Sequence, residues 1–105
     1  MKRGEVRWYK LGKPDKNRPV VILTRDFIIP YLVEVTVAPV TFTVRDIPRE
    51  VLLGRADGMS MDCAINCDHL QTVAQSKIGP LVASLSPGKL HGVRRAIAFA
   101  LARTG

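Results

Sequence analysis

Catalytic side chains are scarce in this chain. Its 105 residues include two histidines, two cysteines and one tryptophan, and its nine carboxylates are scattered singly. Asp57, Asp62 and Asp68 are spaced like turn residues, so no paired acid–base site is legible. There is no P-loop, dinucleotide fingerprint or nucleophile elbow, which excludes enzymes built on those plans. Two cysteines make no disulfide framework and read as reduced thiols of an intracellular protein. The longest apolar run, Ala96 to Ala102, is too short to cross a bilayer, and Glu5, Arg7 and Lys10 interrupt any signal-peptide core. The expectation is one cytoplasmic domain with no membrane role.

Acidic residues are the minority, and the imbalance is uneven. The net charge is +7. Residues 1–25 carry eight basic side chains against two acids, residues 26–76 three against seven, and residues 77–105 five against none. Two basic ends of this kind attract polyanions such as nucleic acid or acidic proteins. With 47% apolar and 24% charged residues, the chain has enough apolar side chains to form a core.

The apolar pattern predicts short strands followed by one helix. Glu5 to Leu11 partly alternates and reads as a half-buried first strand. Gly12 to Asn17 is a basic, turn-rich connection. Pro19 to Thr24 is apolar on both faces and should be central. Asp26 to Tyr31 forms a hairpin loop. In the next strand Val33, Val35 and Val37 share one face, Glu34 and Thr36 the other. Pro39 predicts a bulge or an edge position there. Glu50–Leu53 and Cys63–Cys67 read as strands around an Ala56-Asp57-Gly58 turn, with further strands at Leu70–Val73 and Leu81–Leu85. Ser86-Pro87 is a helix start, with Ser as N-cap and Pro in the first turn. Leu90, Val93, Ile97, Ala100 and Leu101 then form one apolar stripe. The pattern predicts a small, bent sheet or barrel capped by a helix.

Cys63-x3-Cys67-x-His69 invites a metal reading. On a strand, positions four apart are separated by about 13 Å, too far to share one zinc or form a disulfide. The thiols therefore read as buried, and no metal site is assigned. His69 and His91 read as surface imidazoles. Trp8 and Tyr9 flank Arg7 at the basic end, where a base could stack on Trp8; Tyr9 points the other way on a strand.

Arg18 opens the apolar run Pro19-Val20-Val21-Ile22-Leu23, and the next run, Val33 to Val40, leads into Thr41. In an antiparallel hairpin turning near Ile29-Pro30, a register of index sum 59 sets Arg18 opposite Thr41. A guanidinium and a hydroxyl would then share one rim of a rigid sheet.

Several segments carry a resemblance in their order and spacing: Arg3-Gly4-Glu5-Val6-Arg7-Trp8, Arg18-Pro19-Val20-Val21, Ala38-Pro39-Val40-Thr41, Val44-Arg45-x-Ile47-Pro48-x-Glu50-Val51, Asn66-Cys67-Asp68-His69-Leu70-Gln71-Thr72-Val73 and Leu85-Ser86-Pro87. The chain resembles the MazF/PemK toxins, small ribonucleases of toxin–antitoxin pairs. The resemblance implies an SH3-like barrel, mainly β with a C-terminal helix, working as a homodimer. It implies an endoribonuclease that needs no metal or other cofactor and cuts single-stranded RNA at short motifs. Its partner is an antitoxin whose flexible acidic segment covers the basic groove. The family's catalytic Arg and Thr/Ser fall on Arg18 and Thr41. Arg25 and Arg45 are candidate phosphate or base contacts and Trp8 a stacking platform; Asp15 and Lys16, just before Arg18, and Thr43 complete the candidate substrate-binding set. A guanidinium gives up its proton only above a pKa of about 12, so Arg18 suits an electrostatic role. The base is left unassigned, with Asp15 the only carboxylate in the loop before Arg18. The same fold serves DNA gyrase poisons with an aromatic C-terminus, which Ala102-Arg103-Thr104-Gly105 does not match. An inactive nucleic-acid-binding barrel is a further alternative.

Overall fold

A computed structural model describes residues 1–10 and 17–102. The expectations placed on Asp15 and Lys16 lie outside the described residues. The elements run β1 (Glu5–Lys10), β2 (Asn17–Ile22), β3 (Glu34–Thr41), β4 (Glu50–Leu53), β5 (Cys63–Asn66), β6 (Gln71–Ala74), β7 (Ile78–Ser84) and α1 (Pro87–Ala102). The strands form one sheet in the order β4-β5-β3-β2-β1-β7, with β6 also paired to β3. All pairings are antiparallel, and the sheet curls into a half-barrel with α1 at the end of the chain. No helix among the described residues is long and apolar enough to cross a membrane.

Period-two alternation sends the central strands to two cores. Val21 of β2 and Ala38 and Val40 of β3 join the larger cluster, with Val6, Val51, Cys63, Ile65, Val93 and Ala96. Val20 and Ile22, with Val35 and Val37, point the other way and pack with Ile29 and Val73, flanked by Tyr9 and Ile78. This explains why β2 is apolar on both faces. Val33 does not join its predicted face: it precedes β3 and is 82% exposed.

The β2–β3 register has the expected index sum of 59, with Val20 opposite Pro39, Val21 opposite Ala38 and Ile22 opposite Val37. Pro39 nevertheless lies in a central strand, and no bulge interrupts its pairing with β2. It sits where β3 changes partners on its other side. Val37 is the last residue paired with β6, opposite Gln71, and Val40 the first paired with β5, opposite Ile65. The missing N–H of Pro39 falls in the gap between the two ladders, which is why a central proline is tolerated.

The helix starts as its sequence predicts. Ser86 Oγ accepts the Lys89 N–H at 3.1 Å, and Pro87 occupies the first helical position. Val93, Ala96 and Ala100 are buried and Ile97 packs beside them. Leu101, expected on this stripe, is 65% exposed; Ala96 takes the inward place in its stead. At the predicted 56–58 turn, Asp57 Oδ2 accepts the Gly54 N–H at 2.9 Å, and Gly58 follows with φ +93°.

Candidate active site

The partner change of β3 makes a notch in the sheet. At Pro39, β5 ends and β6 has not begun, so the connection between them crosses beside this residue. Residues 66–71 thus come to the end of β3, where the β2 register brings Arg18. The result is an open cavity of about 290 Å³ lined by Arg18, Pro39, Thr41, Asn66, His69 and Gln71. Its volume is at the low end for a ligand pocket.

Each side chain is positioned by a local cause. Arg18 shares the alternation of Val20 and Ile22, so it continues the smaller core's face out to solvent. Tyr9 lies across from it on β1 and is half-buried beside that core. Thr41 shares the face of Val35 and Val37 and pairs with Ala64 of β5. Its Oγ1 accepts the Thr43 N–H at 3.2 Å. Asn66 Oδ1 accepts the Asp68 N–H at 3.0 Å, and the Cys67 N–H donates to Arg49 O at 2.9 Å. The Asp68 carboxylate turns to Arg49, 3.6 Å away. These contacts tie down the 66–71 turn, and His69 lines the pocket beside Asn66 and Gln71.

The other expected contacts within the described residues do not line this pocket. Trp8 pairs with Pro19 and so lies on the opposite face of the sheet from Arg18. It lines a different cavity of about 660 Å³, with Lys10, Asn17, Lys77 and Gly79. Arg25 follows the far end of β2, where its carbonyl accepts the N–H groups of Ile28 and Ile29. Arg45 stands over the buried Glu50 carboxylate, which is 3.6 Å from its Nε and accepts the backbone N–H groups of Arg45 and Asp46. Thr43 touches the site only through its N–H to Thr41.

Sequence reasoning missed His69 as a pocket residue, along with Asn66 and Gln71. The signal was a polar turn between two short strands that both pair with β3. Cys63 and Cys67 are buried free thiols. Burial pushes the Cys67 thiol up to about 11 and, with Asp57 and Asp62 nearby, raises that of Cys63 as well. Among the described residues, no group of three or more His, Cys, Asp or Glu is placed to hold a metal ion.

A curled half-barrel with a terminal helix, carrying a guanidinium and a hydroxyl at one strand rim, defines a small barrel protein equipped to hold an anion. Comparison with known proteins makes this specific. The profile of the PemK-like, MazF-like toxins of type II toxin–antitoxin systems matches residues 2–101, and the chain belongs to that family. Endoribonuclease MazF3 of Mycobacterium tuberculosis is 40% identical over 90 residues, covering 82% of this chain and 87% of the relative. Probable endoribonuclease MazF5 of the same species is 40% identical over 101 residues, covering 94% and 87%. Among solved structures, the Mycobacterium tuberculosis toxin MazF-mt6 superposes with a TM-score of 0.85 at 34% identity, over 93% of this chain and 96% of that one. A mycobacterial endoribonuclease solved with its cognate antitoxin shares the fold, with a TM-score of 0.85 at 24% identity over 97% and 95% of the two chains. The barrel-with-helix expectation is borne out, and the endoribonuclease expectation agrees with these relatives.

Proposed function

We propose that this chain is a toxin endoribonuclease that cuts single-stranded RNA by attack of a 2′-OH on the adjacent phosphorus. The products are a 2′,3′-cyclic phosphate and a 5′-OH, and no metal takes part. The observation that carries the reading is the joint placement of Arg18 and Thr41 in one open pocket. The Arg18 fork binds two oxygens of the phosphate and offsets the charge of the crowded phosphorane. Thr41 Oγ1 accepts the Thr43 N–H, which leaves its own hydrogen to donate to a non-bridging oxygen. Both groups sit on paired strands, and their geometry is set before substrate arrives.

RNA bases lie unstacked along the surface around this pocket, which is how single strands are read. Trp8, with Lys10 and Lys77 on its cavity wall, is suited to stacking a flanking base and holding its phosphate. The protein works in the cytoplasm as a homodimer; Phe27, Tyr31 and Val33, 70%, 84% and 82% exposed, give a second copy apolar surface to cover. A cognate antitoxin with a flexible acidic segment silences it by competing for the same basic rim.

The test is incubation of the purified protein with a long single-stranded RNA in EDTA, mapping cut sites and end groups. Cyclic phosphate and 5′-OH ends are expected. A magnesium requirement, 3′-OH ends, or inhibition of gyrase without RNA scission would sink this reading.

A further inference from the structure

The pocket contains a proton acceptor that the Arg–Thr pair does not supply. We propose that His69 is the general base of the reaction, taking the proton of the attacking 2′-OH; this rests on the ribonuclease reading above. Of the described side chains lining the cavity, Thr41, Asn66, Gln71 and Pro39 have no basic lone pair, and the Arg18 guanidinium carries donors and no acceptor. The imidazole of His69 is the remaining group, and in its neutral form one ring nitrogen carries a lone pair that can accept a proton.

The turn is constructed to aim this residue. β5 fixes its start through Asn66, which pairs with Glu50, and β6 fixes its end through Gln71, which pairs with Val37. Asp68, the neighbouring carboxylate, is engaged by Arg49 at 3.6 Å on the other side. His69 is exposed, so an incoming ribose reaches it without rearrangement of the core. Among the described residues lining the cavity, the charged side chain is that of Arg18 on β2; β3, β5 and β6 present Thr41, Asn66 and Gln71.

The step balances without a further reactant. Neutral His69 accepts the 2′-OH proton as the O2′–P bond forms. The P–O5′ bond breaks with its electron pair on the 5′ oxygen, which takes a proton from water. The imidazolium then returns its proton to the hydroxide left behind. Arg18 and Thr41 hold the phosphate oxygens throughout.

The experiment follows cleavage of a single-stranded RNA against pH for the intact protein, His69→Gln, His69→Ala and Asp15→Asn. The unsubstituted protein is expected to show a rate that rises with pH and levels off above the imidazole range. His69→Gln should lower kcat at least about 100-fold with little change in KM, and lose that limb. Added imidazole should restore part of the rate to His69→Ala, which a purely structural role would not allow. An RNA carrying sulfur at the scissile 5′ position needs no proton on its leaving group, so the loss in His69→Gln should persist with it. Its disappearance would make His69 an acid and overturn the proposal. Full activity in His69→Gln, or loss of the pH limb in Asp15→Asn instead, also overturns it while leaving the ribonuclease reading intact. Failure of the intact protein to cut RNA removes both.

Discussion

The two faces of the central strands are finished differently. One is sealed by α1 over a core running from Val6 through Ile65 to Ala96. The other carries a small cluster around Val20, Ile22, Val35 and Val37, covered by the loop after β2 and by β6. The same two strands serve both. On the sealed face Val6, Val21, Ala38 and Val40 all enter the core; on the lightly covered face the alternation continues past the apolar residues into Arg18 and Thr41. The lesson is that stability and chemistry are distributed by parity along single strands, so neighbouring residues can belong to different functions.

That division can be broken by substitution. Ile65→Ala, in the sealed core and 0% exposed, should lose about 2–5 kcal/mol of stability, read from the denaturant midpoint. Arg18→Ala should cost at least about 100-fold in cleavage, or about 2.7 kcal/mol of transition-state stabilisation, with the denaturant midpoint unchanged. An equal loss of stability in Arg18→Ala would show that the two faces are not separable. Ser86→Ala removes the cap of the sealing helix and should cost about 1 kcal/mol, visible as a lower midpoint with normal kcat.

The smallest effect concerns Glu5 at the start of β1, which alternates with the core residue Val6. Burial alone would raise its carboxyl, but Arg7 at 2.9 Å and the Lys2 N–H at 2.8 Å outweigh it and hold the group below its ordinary 4.5. A carboxylate depressed by folding stabilises the protein above that ordinary value, and the contribution is lost as pH falls through the lower folded-state value. Glu5→Gln should therefore be less stable than the parent at neutral pH, and the gap should close in acid. A gap that persists at low pH would assign the effect to packing instead.

Much of the fold was legible because its signals are local. The Ser86-Pro87 start needs only its own turn, and Gly58 marks its own left-handed bend. The placement of Arg18 and Thr41 in one pocket was also accessible, since the hairpin register of index sum 59 follows by counting. His69 was not: its position depends on β5 and β6 both pairing with β3, two non-local contacts whose registers meet at Pro39. Trp8, Arg25 and Arg45 were grouped with the site by charge and aromatic character. Strand parity, the length of β2 and the Glu50 anchor place each of them elsewhere. Leu101 lay at helical spacing, but the stripe turns inward through Ala96 and Ala100.

Pro39 has a consequence for how such a molecule can diversify. A strand that exchanges one neighbour for another in mid-course leaves a seam, and whatever connects the two neighbours must pass over it. Here that connector, residues 67–70, places His69 in the wall of the candidate pocket. Cys67 is locked into the sealed core and Asp68 is held by Arg49, which leaves His69 and Leu70, both exposed, as the positions open to exchange. The seam thus works as a socket: a change at those two positions rewrites what the pocket offers its guest, and the scaffold beneath is left as it was.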